Sequence, residues 1–225
     1  FRVPAFETAP LSRMGDAKIS DANIGDNGPS SPTSERPFAV TLDFPSGSLA
    51  PSNRMFVRKL SDMARLFEDQ EAVTRTLGSG QDPVIYVGRY AGVPDRPGNL
   101  AFLTTTMAPG TVGSEFYMTK GHHHVQDSGE VYLGLSGEGI MVMESREGDF
   151  AYEALTPSVA VYVPPRWAHR TVNTGTEPLV FLATYFAGAG HDYGSIERTG
   201  FSRRVYRGAS GPEVRPPLPA GGAGQ

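Results

Sequence analysis

The 225-residue chain contains no cysteine, a single tryptophan and only five histidines. The absence of cysteine removes disulfides, thiolate metal sites and thiol nucleophiles together, so any metal must be held by nitrogen and oxygen ligands. It also removes redox state as a guide to compartment. No run approaches the ~20 apolar residues that cross a bilayer, and no basic stretch followed by an apolar one opens the chain, so a cytoplasmic protein is expected. Positive charge is in deficit as well: 20 Lys and Arg stand against 24 Asp and Glu, a formal net charge of -4. That balance argues against nucleic acid or an anionic membrane as partner and favours a small soluble molecule. The 39% hydrophobic content suffices for one sizeable core.

Residues 1–36 are rich in Ser, Pro, Gly, Asp and Asn ("SDANIGDNGPSSPTSERP") and are expected to form a loop-like extension. Over 54–77, Leu60, Met63, Leu66 and Phe67 recur at helical spacing and "DQEAVTRTLG" runs to Gly78, which predicts one or two short helices. From Pro83 onward the pattern changes. Short apolar or alternating runs such as "PVIYVGRYA", "EVYLGLSGEG", "SVAVYVPP" and "PLVFLATYF" are separated by Gly, Pro and Asn, predicting a β-sandwich or barrel. Residues 37–206 are read as one domain. Residues 207–225, ending in "GPEVRPPLPAGGAGQ", are read as a flexible Pro/Gly-rich tail.

Within the β-rich part, "MTKGHHHVQDSGEVYLGLSGEG" places three histidines in a row and an acid six positions past the last. Side chains alternate along a strand, so His122 and His124 share a face and His123 takes the other. Glu130 and Tyr132 share a face in the next strand, with Val131, Leu133 and Leu135 expected to point into the core. In "VPPRWAHRTVNTG", His169 shares a face with Thr171 and Asn173 if the segment is a strand. Three imidazoles and one carboxylate suit a divalent Fe, Mn, Ni, Co or Zn ion and leave positions open for substrate in a five- or six-coordinate site. A slip of one residue would instead make His123 the ligand. Trp167, beside Pro164 and Pro165, is most simply a packing anchor, and Gly137 and Asn173 serve turns.

The spacing of Gly121, His122, His124, Glu130 and Gly137, followed by Pro164, His169 and Asn173, resembles the two cupin motifs. Four longer stretches, "EFYMTKGHHH", "EVYLGLSGEG", "YVPPRWAHRTVNTGTEPLVFLA" and "AGAGHDYGSIERTGFS", are similar to the cupin-type glucose-6-phosphate isomerases, over roughly residues 37–206. The resemblance implies an all-β fold, a single cupin jelly-roll barrel with a short helical and loop N-terminal extension. It implies metal ligands at His122, His124, Glu130 and His169. Sugar and phosphate contacts are implied at Tyr86, Thr105, Thr119, Gly121, Tyr132, Tyr185, His191 and Tyr193, with Lys120 as a further cation for phosphate. A homodimer is also implied. In one respect the chain departs from the pattern: five residues separate His124 from Glu130, one fewer than this branch leads one to expect.

The implied chemistry moves a hydrogen between C1 and C2 of a sugar phosphate. Glu130 acts as general base and acid in one route, and as ligand beside a direct hydride shift in the other. His191 or a tyrosine such as Tyr193 is the candidate for ring opening. Two other classes remain: a metal-dependent cupin enzyme acting on another sugar phosphate or metabolite, and a barrel that binds a sugar without turnover.

Overall fold

The computed structural model describes residues 35–217. The loop-like reading of 1–36 therefore lies almost wholly outside the described residues, as does the end of the C-terminal segment. In chain order the strands and helices are a hairpin β1 (Thr41–Asp43) and β2 (Ser48–Ala50), then β3 (Arg54–Lys59), α1 (Leu60–Met63) and α2 (Gln70–Gly78). There follow β4 (Val84–Tyr90), β5 (Leu100–Met107), β6 (Thr111–Val112), β7 (Glu115–Phe116), β8 (His123–His124), β9 (Glu130–Ser136) and β10 (Gly139–Ser145). The chain continues through β11 (Phe150–Leu155), β12 (Ala160–Val163), β13 (Trp167–Asn173), β14 (Leu179–Phe186), β15 (His191–Asp192), α3 (Tyr193–Thr199), β16 (Arg204–Arg207) and β17 (Pro212–Arg215).

Two sheets form the barrel walls: a six-stranded one in the order β12-β9-β14-β5-β4-β3 and a three-stranded one in the order β11-β10-β13. All named strand pairs are antiparallel. The inner faces meet, with the Tyr132 ring of β9 lying 5.6 Å from the His169 ring of β13. Behind β10 and β13 lies a four-stranded layer, β17-β16-β7-β6. This is the all-β cupin barrel that the motifs imply. Met107, Met118, Met141, Leu155, Leu179 and Phe181 fill it with one continuous core that extends to Leu60, Met63 and Phe67 of the helical segment. The tight turn from β9 to β10 depends on Gly137, whose φ is +77° and where a Cβ would lie 2.3 Å from the Pro178 carbonyl oxygen.

Three local readings are corrected. The helical stretch begins at Leu60, because Arg54–Lys59 pair with β4 as an edge strand. Helix α2 starts where Asp69 caps the Ala72 N–H at 2.8 Å and ends at Gly78 as the spacing predicts. The segment taken for a flexible tail includes Pro212–Arg215, paired in register with β16. In β9, Val131 is exposed and Leu133 half-buried, whereas Glu130 and Tyr132 are buried. The apolar face of this strand looks outward, because the barrel interior here is lined by polar groups. Leu135 is buried as well, and it drops out of the ladder where the pairing passes from Phe181–Gly134 to Val180–Ser136.

Candidate metal centre and substrate cavity

Three strands and one short ladder bring the histidines together. Residues 118–122 run beside β13, and His122 and His169 exchange backbone hydrogen bonds of 3.3 and 3.1 Å. The short strand β8 carries His124, which pairs with His191 of β15. Glu130 heads β9. The result is one group, His122, His124, Glu130 and His169, whose ligand atoms all lie within 4.8 Å of one another. His123 stays outside it, buried on the opposite side of the strand near Arg146 and Asp192. The register is the one alternation predicts.

Hydrogen bonding behind the rings fixes which nitrogen faces inward. His124 Nδ1 lies 2.9 Å from the Ser128 carbonyl oxygen, and His169 Nδ1 lies 3.3 Å from that of Trp167. Carbonyls only accept, so both Nδ1 atoms carry the proton and both Nε2 atoms present lone pairs to the centre. The Nε2 atoms of His122, His124 and His169 and the Glu130 Oε2 are all buried without a hydrogen-bond partner. Yet Oε2 is 2.8 Å from His169 Nε2, 3.2 Å from His124 Nε2 and 4.0 Å from His122 Nε2. With the rings neutral, four acceptors this close repel one another unless a cation or a shared proton sits among them. Ligand atoms bound at about 2.1 Å and at right angles lie roughly 3 Å apart, so the donor set fits a first-row divalent ion.

Charge follows the same geometry. Burial, then the neighbouring imidazoles His169 and His191, hold His122 well below the usual histidine range. Burial also opposes charge on His124, but the Glu130 carboxylate, which accepts from the ring once it is protonated, and the Ser128 carbonyl outweigh it and leave the ring above the usual range. Glu130 loses solvation, which raises its pKa, but His169 and His124 more than offset this and bring it to about 2. The carboxylate is therefore ionised at any physiological pH.

One cavity opens onto this centre, lined by Tyr86, Thr105, Thr119, Lys120, Gly121 and Tyr132 together with His122, Glu130, His169, Tyr185, His191 and Tyr193. The metal and substrate positions that the resemblance implies thus lie at one place, with His124 just behind the wall. Burial raises the pKa of Tyr132 and of Tyr185, with Glu130 and Tyr90 adding to it, so both hydroxyls remain donors. The His191 ring stacks on Tyr193 at 5.7 Å and lies 4.4 Å from the His122 ring. Lys120 projects over Tyr193 and pairs with Glu197 of α3 at 3.3 Å.

The same cavity is lined by Phe56, Tyr90 and Phe181, which motif reading passed over, and by Thr171, which it placed on the His169 face without giving it a role. Strand alternation accounts for two of the four. Tyr90 lies four residues beyond Tyr86 on the same face of β4, and Thr171 two beyond His169 on β13. Phe56 needed the three-dimensional pairing, since it occupies the space that the missing Cβ of Gly88 leaves on the neighbouring strand.

Comparison with known proteins agrees with this geometry. Residues 57–214 match the family described as glucose-6-phosphate isomerase. The chain is 49% identical over 172 residues to the glucose-6-phosphate isomerase of Thermococcus gammatolerans, covering 76% of this chain and 89% of that one. Against the enzyme of the same name from Pyrococcus horikoshii the identity is 46% over 172 residues, covering 76% and 90%. A bacterial relative of that name, from Sinorhizobium medicae, is 38% identical over 168 residues, covering 74% and 78%.

Proposed function

The chain belongs to the glucose-6-phosphate isomerase family, and from that premise we propose that it interconverts glucose 6-phosphate and fructose 6-phosphate with one divalent metal held by His122, His124, Glu130 and His169. The observation that carries the metal is the convergence of four buried, unpartnered lone-pair donors at the floor of a cavity. A bound Fe, Mn, Ni, Co or Zn ion supplies Lewis acidity, which stabilises the negative charge that builds on the oxygens of C1 and C2.

The protein side chains do the rest. Thr105, Thr119, Lys120 and the Gly121 amide grip the phosphate, with Tyr86 closing the same wall. Tyr132 and Tyr185 donate hydrogen bonds to the sugar hydroxyls. His191 and Tyr193, stacked at the cavity edge, handle the protons of ring opening. Glu130, at about 2 in the metal-free cluster, is a weak base toward a carbon acid. Its low basicity favours direct transfer of hydrogen with its electron pair from C2 to C1, while the O2 proton moves to O1. In the alternative, Glu130 itself carries a proton between the carbons. Turnover in D2O separates them: solvent deuterium at the transferred position supports the proton route, and its absence the hydride shift.

The decisive experiment is a coupled assay of fructose 6-phosphate conversion on chelator-treated protein, with each of the five ions added back. Activity that vanishes and returns supports both metal and reaction. Silence with every ion on folded, metal-loaded protein removes this substrate and sends the search to other sugar phosphates.

The cytoplasmic homodimer belongs to the same proposal. No helix among the described residues is long and apolar enough to cross a membrane. Leu100, Val131, Tyr162 and Phe186 leave apolar surface on the outer face of the six-stranded sheet, which supports a second copy there. Light scattering tests it, a dimer weighing twice the 24.1 kDa of one chain.

A further inference from the structure

The stretch 118–122 runs antiparallel to β13 but out of step with it. Met118 pairs with Val172 and His122 with His169, so the four steps from 118 to 122 face only the three from 169 to 172. One surplus residue on one strand is a β-bulge, and a bulge strips a backbone group of its ladder partner. Two features absorb the surplus here. Gly121 takes a φ of +75°, in a space so tight that a Cβ would lie 2.8 Å from Cε2 of Phe201 and 3.2 Å from Cβ of Arg170. The Lys120 carbonyl, turned out of the ladder, accepts a hydrogen bond from the Arg170 guanidinium at 2.7 Å.

Arg170 approaches from the far side of β13, because it follows His169 and successive strand residues face opposite ways. It is 4% exposed, with its guanidinium carbon 4.6 Å from the centre of the Phe201 ring. Burying a guanidinium is unfavourable unless its bonds do something in return. The peptide plane between residues 120 and 121 shows what this one does. In a trans peptide the C=O and N–H point in opposite directions. Fixing the Lys120 carbonyl toward Arg170, on the far side, turns the Gly121 N–H toward the cavity that Gly121 lines with Thr105 and Thr119.

We propose that Arg170 is a positioning residue: from outside the cavity it locks the Lys120–Gly121 peptide so that the Gly121 N–H is aimed at the substrate's phosphate. The inference rests on the sugar-phosphate reading given above and adds to it a residue that never touches substrate. Pre-aiming a donor matters because a free peptide would have to be ordered on binding, which weakens affinity.

The test uses the full-length, metal-loaded protein in a diamagnetic form, with inorganic phosphate as probe and the Gly121 amide resonance as readout. In the unmodified protein phosphate is expected to shift that resonance downfield. Arg170→Lys replaces the planar fork by a point charge. Phe201→Leu removes the aromatic surface under the guanidinium while keeping an apolar side chain in place. In both, the phosphate response is expected to need about tenfold more phosphate. KM for fructose 6-phosphate should rise about tenfold and kcat stay within about threefold. Metal content should hold, since His122 and His169 keep their own backbone pairing. A Gly121 response equal in all three proteins overturns the positioning role and leaves the phosphate reading standing. An unmodified protein whose Gly121 ignores phosphate overturns both. Variants that lose kcat and metal together, at unchanged KM, reduce Arg170 to a structural residue and overturn the proposal as well.

Discussion

Two glutamates in this molecule are almost equally buried, Glu115 at 2% and Glu130 at 3% exposure, and they live in opposite circumstances. Glu115 sits between β7 and the helical segment with both oxygens engaged. Arg204 donates to one at 2.8 Å and the Glu68 N–H to the other at 2.8 Å. Around that pair, Arg204 also reaches the Leu66 carbonyl and Tyr206 donates to Glu68. Glu130 faces lone pairs instead: its Oε2 lacks a hydrogen-bond partner and three imidazole nitrogens crowd it. Burial alone therefore says little about what a carboxylate does. A satisfied buried charge ties segments of the fold together, and an unsatisfied one among other unsatisfied acceptors is a donor set that could hold a cation.

The largest expected effect on this contrast comes from His169→Ala, which removes a ligand from the floor of the cavity. Metal content should fall to background and turnover by more than about a thousandfold. Elemental analysis alongside the assay checks both, and a variant that kept metal and activity would take His169 out of the ligand set. The same chemical change at the two glutamates should then give crossed results. Glu115→Gln leaves Arg204 buried without its counter-charge and is expected to lower stability by about 3–5 kcal/mol, with activity per folded molecule preserved. Glu130→Gln should lower kcat about a hundredfold or more in molecules that stay folded, a loss of turnover that Glu115→Gln does not share. Denaturant melts beside kinetics read out the crossing, and two glutamates that behaved alike would dissolve it.

A smaller effect is a matter of proton order. In the metal-free protein His124, raised by Glu130, should hold its proton above pH 6.5, whereas His122, depressed by burial, should stay neutral well below that pH. The signs for stability are opposite. Protonated His124 stabilises the fold below its unfolded pKa, and this contribution fades as pH rises through the raised value. Neutral His122 opposes stability as pH falls below 6.5, where the unfolded chain takes up a proton that the fold refuses. Imidazole carbon–proton NMR spectra follow each ring, and the reverse order would contradict the placing of the Glu130 carboxylate beside His124. Smallest of all should be His123→Ala, which is expected to leave metal content and kcat within about twofold, since His123 lies on the other side of the strand.

That His122, His124, Glu130 and His169 come together was readable because the rule is local and binary. Strand alternation separates His122 and His124 from His123, and a fixed spacing does the rest. The same rule misled at Val131 and Leu133, because an apolar face was equated with the core in a barrel whose interior is polar at that level. The period of two carried onward from His169 reached Thr171, and carried onward from Tyr86 it would have reached Tyr90. Other features had no local signal. The bond between Arg204 and Glu115 joins residues 89 apart, and the Lys120–Arg170 contact joins residues 50 apart. The Arg54–Lys59 strand and the Pro212–Arg215 strand are edge elements, defined by the neighbour that pairs with them more than by their own composition.

The sole tryptophan, read from sequence as a packing anchor, has its backbone carbonyl against His169 Nδ1. Any shift of that imidazole on gaining or losing an ion is passed to the residue bearing the only indole chromophore. The protein thus carries its own optical gauge. Emission from Trp167 should report occupancy by paramagnetic ions without a label, dimming as they bind, and no cysteine background would complicate a second dye placed elsewhere.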